Sequence, residues 1–387
     1  MDAESQVDWN TVPMAPLPET KRAGSGISKA RLVALISTGI SICLLLTASS
    51  IIYVVWKEMD SIARNRPPEH VIISQNNHRT MTGMDNLSGS GVGVSICIVD
   101  TGIDLTHPEF TGRNLSAWKD FVNEEPSPYD DEGHGTMMAG LIWADKHLKG
   151  VATGVDLLVA KALSADGQGV DETIAEAVDW CVSSGTDVIS MSLGGAAGFD
   201  FFLSSTDQLE NAVNAALDAG VFVVAAAGND GTDDDGDVAS PGSVEDVICV
   251  GGVDYYGNIW EGSSEGDNNG RILPLPPLLP RQNPDMKPEL VAPGTDVPVL
   301  VYSRDNDLHT YGYASGTSAS TAWVAGALAL VIEAHPDIAP DGSSGGRGAI
   351  DDVKGWIQAS STGQEGHDDH YGYGILNVEG LLQAANA

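Results

Sequence analysis

The chain has 387 residues, 42% hydrophobic and 19% charged, a composition that excludes a disordered tail and a coiled coil. Lys and Arg number 19 against 54 Asp and Glu, a formal charge of −35, and a nucleic-acid backbone would be repelled by such a field. The cysteines Cys43, Cys97, Cys181 and Cys249 are too few and too scattered for a disulfide scaffold.

The charge divides unevenly. Residues 1–66 hold six acids and seven bases, leaving 48 acids and 12 bases for residues 67–387. Two regions with different surroundings are implied. Dense carboxylates suit a high-salt medium and equally an ordinary soluble acidic domain.

In chain order, residues 1–31, with Pro13, Pro16, Pro18 and Gly24-Ser25-Gly26, read as a disordered tail. Residues 32–56 run 25 positions without a charge. As a helix they would extend about 37 Å at about 1.5 Å per residue, enough to cross a bilayer core. Tyr53 and Trp56 close the stretch with side chains that favour the headgroup interface. The length favours a retained anchor over a cleaved signal, although Ala48-Ser49-Ser50 offers a small-residue cleavage site. Lys21, Arg22, Lys29 and Arg31 before the span, against Lys57, Arg64 and Arg66 after it, place the N-terminus inside and the rest of the chain outside. Residues 57–80 read as a polar stalk and residues 81–387 as one large domain. Within that domain apolar runs such as 92–100 and 221–227 alternate with helix-like stretches. The runs lack polar alternation, so the expected architecture is α/β: a parallel sheet covered by helices on both faces. Cys97 and Cys249 in strand runs and Cys181 on a helix are expected as buried free thiols, Cys43 in the apolar span.

Three places carry chemistry. In CIVDTGIDLTHPEF a buried strand ends in Asp100, a carboxylate that needs a partner when buried, or serves as an N-cap or Asx-turn. In DDEGHGTMMAG, Gly133 and Gly135 frame His134 at a helix start and let another backbone or a ligand approach the imidazole. In YASGTSASTAWVAGALALVIEAH, Ser318 opens a long apolar helix, whose positive end would stabilise a developing oxyanion; an N-cap is the plainer role for such a serine.

Taken in the order Asp100, His134, Ser318, the chain resembles the subtilisin-like serine proteases of the subtilase superfamily. Chymotrypsin-like and α/β-hydrolase enzymes carry the same groups in other orders. The resemblance covers about residues 75–385 and implies further roles. AAAGND resembles the segment presenting an oxyanion-hole amide, which falls on Asn229. SMSLGG resembles the strand lining the substrate cleft, so that Ser192, Leu193 and Gly194 flank the residue preceding the scissile bond, with Ala227 and Gly228 in the small wall 225–228. Gly167-Gln168-Gly169 resembles the edge that pairs with an extended substrate, and KPELVAPG a structural signature. The resemblance thus implies protein or peptide substrates and chemistry that needs no cofactor. It departs from the family pattern at Met137 and from Ala319 to Trp323, where packing around the serine helix must differ; Trp323 is expected in the core.

Metal ligation is expected to be weak. Glu109 stands where relatives carry a calcium-binding carboxylate, but the loop from Asp145 to Lys149 offers basic residues where oxygen ligands are wanted. The run from Asp233 to Asp237 does not fit EF-hand spacing and reads as a solvated loop, as does the His367-Asp368-Asp369-His370 stretch. Residues 271–284, rich in Pro and Leu, read as an extended loop whose leucines need cover from the membrane, a partner or the domain itself.

Overall fold

The computed structural model describes residues 26–64, 66–85, 87–194, 208–231, 237–268, 280–303 and 308–387. The chain forms two units, residues 1–62 and residues 63–387.

The first unit is built on helix α1 (Lys29–Arg64). Its segment Lys29–Lys57 contains an 18-residue stretch with a mean hydropathy of 2.1, and is long and apolar enough to cross a membrane. Apolar side chains on all sides of it are exposed, Leu44, Leu45 and Leu46 among them. Its hydroxyls are satisfied internally: Ser37, Thr47 and Ser50 donate to the carbonyls of Ala34, Leu44 and Leu46 at 2.9–3.0 Å. That arrangement removes the penalty such groups would otherwise carry in hydrocarbon.

The second unit opens with a departure from the sequence reading. Part of the expected stalk is helix α2 (Glu69–Met81), which starts just after Pro68 and buries Val71 and His78. The His78 ring lies 3.1 Å from the Thr295 carbonyl, so this helix is docked on the domain. Its buried positions 71 and 78 keep helical spacing, but one is a His and the position between them on that face is Gln75, and an apolar stripe was therefore not visible.

The remaining elements, in chain order, are β1 (Ser95–Asp100), β2 (Ala117–Asp120), α3 (His134–Trp143), β3 (Asp156–Lys161), α4 (Asp171–Ser183), β4 (Val188–Met191), α5 (Gln208–Asp218), β5 (Phe222–Ala226), β6 (Ile248–Val253), β7 (Leu290–Pro293), β8 (Val297–Ser303), β9 (Leu308–Ala314), α6 (Thr317–Ala334), α7 (Arg347–Ser360) and α8 (Val378–Ala385). Among the described residues, seven strands form one sheet in the order β2-β3-β1-β4-β5-β6-β7, and every pairing is parallel. The strands β4, β5, β6 and β7 are buried at every residue, which requires cover on both faces. Helices α3 and α6 supply one layer and α4 and α5 the other. Helix α6 also meets the length and composition of a membrane span, but 83% of it is buried; it is the central core helix, with Trp323 in the core as expected.

Cys97 of β1 and Cys181 of α4 are joined in a disulfide, not held as free thiols as the sequence led us to expect. A parallel strand and its covering helix lie within disulfide reach, their Cα atoms 5.9 Å apart, although 84 residues separate them. Closing a loop of that length stabilises by about 4–5 kcal/mol in the chain-entropy account. Cys249 remains a free, buried thiol and Cys43 an exposed one. Alkylation of the unfolded, unreduced protein is expected to modify two thiols, Cys43 and Cys249, and four after reduction; mass spectrometry counts the adducts, and four before reduction would remove the cross-link.

Candidate active site

Parallel strands deliver their carboxyl ends to one edge of the sheet, and the chemistry gathers there. Ile98 of β1 is in register with Ser190 of β4, and Met191 of β4 with Ala225 of β5. Two residues beyond the first pair lie Asp100 and Ser192, and Asn229 follows β5 on the same edge. The amino end of α6, carrying Ser318, packs over this edge.

Asp100 is fully buried. Its carboxylate accepts from the Thr101 N–H at 2.7 Å and from His134 Nδ1 at 2.8 and 2.9 Å. Two glycines make this approach possible. Gly102 has φ +125°, and a Cβ there would lie 2.1 Å from the Tyr129 carbonyl oxygen; a Cβ on Gly135 would lie 2.2 Å from the Gly102 oxygen. The start of α3 thus rests backbone to backbone on the turn that follows Asp100. Asp130 then fastens it, accepting from Gly133 N at 2.7 Å, Thr136 N at 2.8 Å and the Thr101 hydroxyl at 2.9 Å. Satisfying these orphan helix donors is what a cap does, here from outside the N-cap position.

The electrostatics follow from this packing. Burial opposes a charged imidazole, but the Asp100 carboxylate and its hydrogen bond, with Glu132 and Asp130 nearby, outweigh it and push the His134 pKa up to about 9. At neutral pH His134 is therefore mostly imidazolium at rest. The Ser318 hydroxyl donates elsewhere, to the Ser192 carbonyl at 3.2 Å, while the Ser192 hydroxyl donates to the Ser318 carbonyl at 3.0 Å. The structure brings Asp100 and His134 into contact and Ser318 into contact with Ser192; it does not form a Ser318–His134 hydrogen bond. Such bonds commonly tighten only with substrate bound.

Asn229 is exposed and fixed at one end. Its Oδ1 accepts from the Thr317 N–H and the Thr317 hydroxyl, both at 3.0 Å, which turns Nδ2 outward as a donor beside the first turn of α6. Of the cleft residues, Leu193 is half-buried, Gly194 exposed, and Gly167 and Gly169 lie on the loop between β3 and α4, with Gly169 exposed. Ala227 and Gly228 differ from expectation. Ala227 is fully buried against Val238 and Cys249, and Gly228 lies beneath Ser264 and Ala239.

The residues around Glu109 do not fit calcium. Its buried carboxylate accepts from the backbone N–H groups of Lys146, His147 and Leu148 at 3.0–3.3 Å and from the Tyr311 hydroxyl at 2.8 Å. Those donors occupy the positions where a hard cation wants oxygen. Among the described residues no cluster of three or more His, Cys, Asp or Glu is placed to hold a metal. His367 and His370 each direct Nε2 at a backbone carbonyl, of Pro288 and Ser263. Residues 233–236 and most of the 271–284 insert lie outside the described residues. Sequence reading missed Asp130 and Lys161. The second had a legible signal, a lone charge inside the apolar run 157–163.

Residues 91–374 match the Subtilase family (peptidase S8). The chain is 32% identical over 313 residues to the serine protease AprX of Bacillus subtilis (strain 168), covering 75% of this chain and 66% of that protein. It is 32% identical over 297 residues to subtilisin DY of Bacillus licheniformis, covering 76% of this chain and 92% of that one. The crystal structure of a cold-adapted subtilisin-like serine proteinase superimposes with a TM-score of 0.57 at 26% identity, over 76% of this chain and 91% of that one.

The Asp100–His134 pair also sets a pH-dependent stability. A histidine whose pKa rises from 6.5 to about 9 on folding stabilises fully below about pH 6.5, and that contribution fades as pH rises through about 9. Asp100→Asn is therefore expected to destabilise by about 3 kcal/mol at pH 6 and by much less at pH 10. Thermal melts of parent and variant across that range check it; a gap independent of pH would contradict the pairing.

Proposed function

Because the chain belongs to the subtilase family, we propose that it is a serine endopeptidase acting through Asp100, His134 and Ser318. The observation that carries this reading is the convergence at one sheet edge of a buried carboxylate bonded to His134 Nδ1, a serine at a helix start and an outward amide donor on Asn229. Asp100 holds the imidazole with Nδ1 protonated, so that Nε2 serves as the base once the ring is neutral. His134 takes the Ser318 proton as the hydroxyl oxygen attacks the scissile carbonyl, and returns it to the leaving amine. Asn229 Nδ2 and the Ser318 N–H, with the positive end of α6 behind them, stabilise the tetrahedral oxyanion. A water, deprotonated by the same imidazole, then releases the acyl group. No metal or cofactor enters these steps.

In this reading residues 192–194, just past β4, and the loop 164–169 border the cleft on its two sides and offer backbone groups to which an extended protein or peptide substrate pairs. The Ser192 carbonyl, which holds the resting Ser318 hydroxyl, is one such acceptor; a substrate N–H that takes it frees the hydroxyl for His134. For location we propose a membrane-tethered enzyme, anchored by residues 32–56 with the domain outside the cytoplasm. The apolar helix supports the tether, and the Cys97–Cys181 disulfide supports an oxidising compartment for the domain.

Three outcomes are expected. A fluorophosphonate labels the purified chain, and Ser318→Ala abolishes the label; an unlabelled, folded parent would remove the peptidase reading. Asn229→Ala keeps the label slow and lowers kcat about 100- to 1,000-fold, a magnitude taken from subtilisin itself. The acid limb of kcat/KM lies well above pH 6.5, toward about 9, because the free enzyme's base must lose its extra proton first.

A further inference from the structure

Lys161 is the last residue of β3 and is completely buried. A buried ammonium is tolerated only when its donors are paired, and each of its three N–H bonds has an acceptor. Nζ lies 2.6 Å from the Thr101 carbonyl, 2.7 Å from Asp131 Oδ1 and 2.9 Å from the Leu163 carbonyl. The Tyr129 ring closes another side, its centroid 5.0 Å away.

These acceptors belong to three segments that the catalytic reading uses separately. Thr101 follows Asp100 directly, and its hydroxyl accepts from the Gly135 N–H at 2.8 Å. Asp131 lies in the loop that delivers His134. Leu163 donates its own N–H to the Asp100 carbonyl at 3.2 Å and immediately precedes the cleft edge 164–169. We propose that Lys161 is a positioning residue of the active site, its ammonium fixing the Asp100 turn, the His134 loop and the substrate-pairing edge in one mutual geometry. The inference rests on the peptidase reading above. Lysine suits the place because a compact ammonium offers three diverging donors to three diverging acceptors; a planar guanidinium cannot. Small misplacements of catalytic groups cost large rate factors, so loss of the tie is felt in turnover as well as in folding.

Lys161 also neutralises Asp131. The charged groups facing His134 are Asp100 from β1 and Asp130 and Glu132 from its own loop. Removing the ammonium would add the Asp131 charge to theirs.

The test compares Lys161→Met, Asp131→Asn, the double variant and Lys161→Arg in the full chain. Readouts are the fluorophosphonate labelling rate across pH, and kcat and KM on a peptide nitroanilide that the parent cleaves. Lys161→Met is expected to lower kcat at least tenfold, raise KM and move the acid limb to higher pH. Adding Asp131→Asn returns the limb to its parental position without restoring kcat, and Lys161→Arg does not rescue. Asp131→Asn alone moves the limb to lower pH, which keeps the inference testable if Lys161→Met does not fold. A folded Lys161→Met with parental kcat, KM and acid limb would overturn it, as would rescue by Arg or an unmoved limb in Asp131→Asn. Failure of the parent itself to label would instead overturn the peptidase reading, and this inference with it.

Discussion

A carboxylate with no exposure to water sits at the end of β1, and the site is organised by the need to satisfy it. An isolated buried carboxylate is too costly to persist ionised, so Asp100 must collect donors. The Thr101 N–H is local; the other donor, His134 Nδ1, comes from a helix that can reach it only because Gly102 and Gly135 let two backbones touch. That close contact fixes α3 on the sheet edge, and α3 packs on α6, which carries Ser318. The same buried carboxylate raises the pKa of His134. Position and protonation state therefore share one origin.

The same pressure recurs elsewhere in this acidic chain. Glu109 is buried and answered by backbone N–H groups and Tyr311. Glu289 is buried beside Lys287, with Nζ 2.8 Å from Oε1, and beside Lys354 of α7. Burial raises the Glu289 carboxyl to about 7 even against the pull of Lys287, and burial lowers the Lys354 ammonium to about 8. Lys354 also meets Asp285, so the helix near the C-terminus is docked through a charged network. Breaking one partner of such a network is more damaging than its net contribution to stability would indicate, because the remaining charge stays buried. Dense surface carboxylates thus coexist with an interior in which each buried acid has a dedicated donor.

How much of this was legible in the sequence depended on range. The parallel α/β sheet was legible because strands buried on both faces leave uninterrupted apolar runs, and the order Asp100, His134, Ser318 carried the family resemblance. The Asp100 partner was legible in kind, since a buried acid demands one. The Cys97–Cys181 link was not, because a separation of 84 residues carries no information on which strand lies beneath which helix. Helix α2 was hidden because one of its buried positions is the polar His78, and the burial of Ala227 and Gly228 because it depends on segments distant in the chain. Lys161 announced itself as a charge in an apolar strand, but its three acceptors come from three separate segments, and no local pattern could have joined them.

The account turns on the state of His134, and nitrogen-15 NMR of histidine-labelled Ser318→Ala protein observes it directly. The predicted result is a proton on Nδ1 retained in its bond to Asp100 across the titration, with the ring losing its second proton near pH 9. A ring that titrates near 6.5, or whose Nδ1 proton exchanges freely with water, would contradict the buried Asp100–His134 pair on which the account depends.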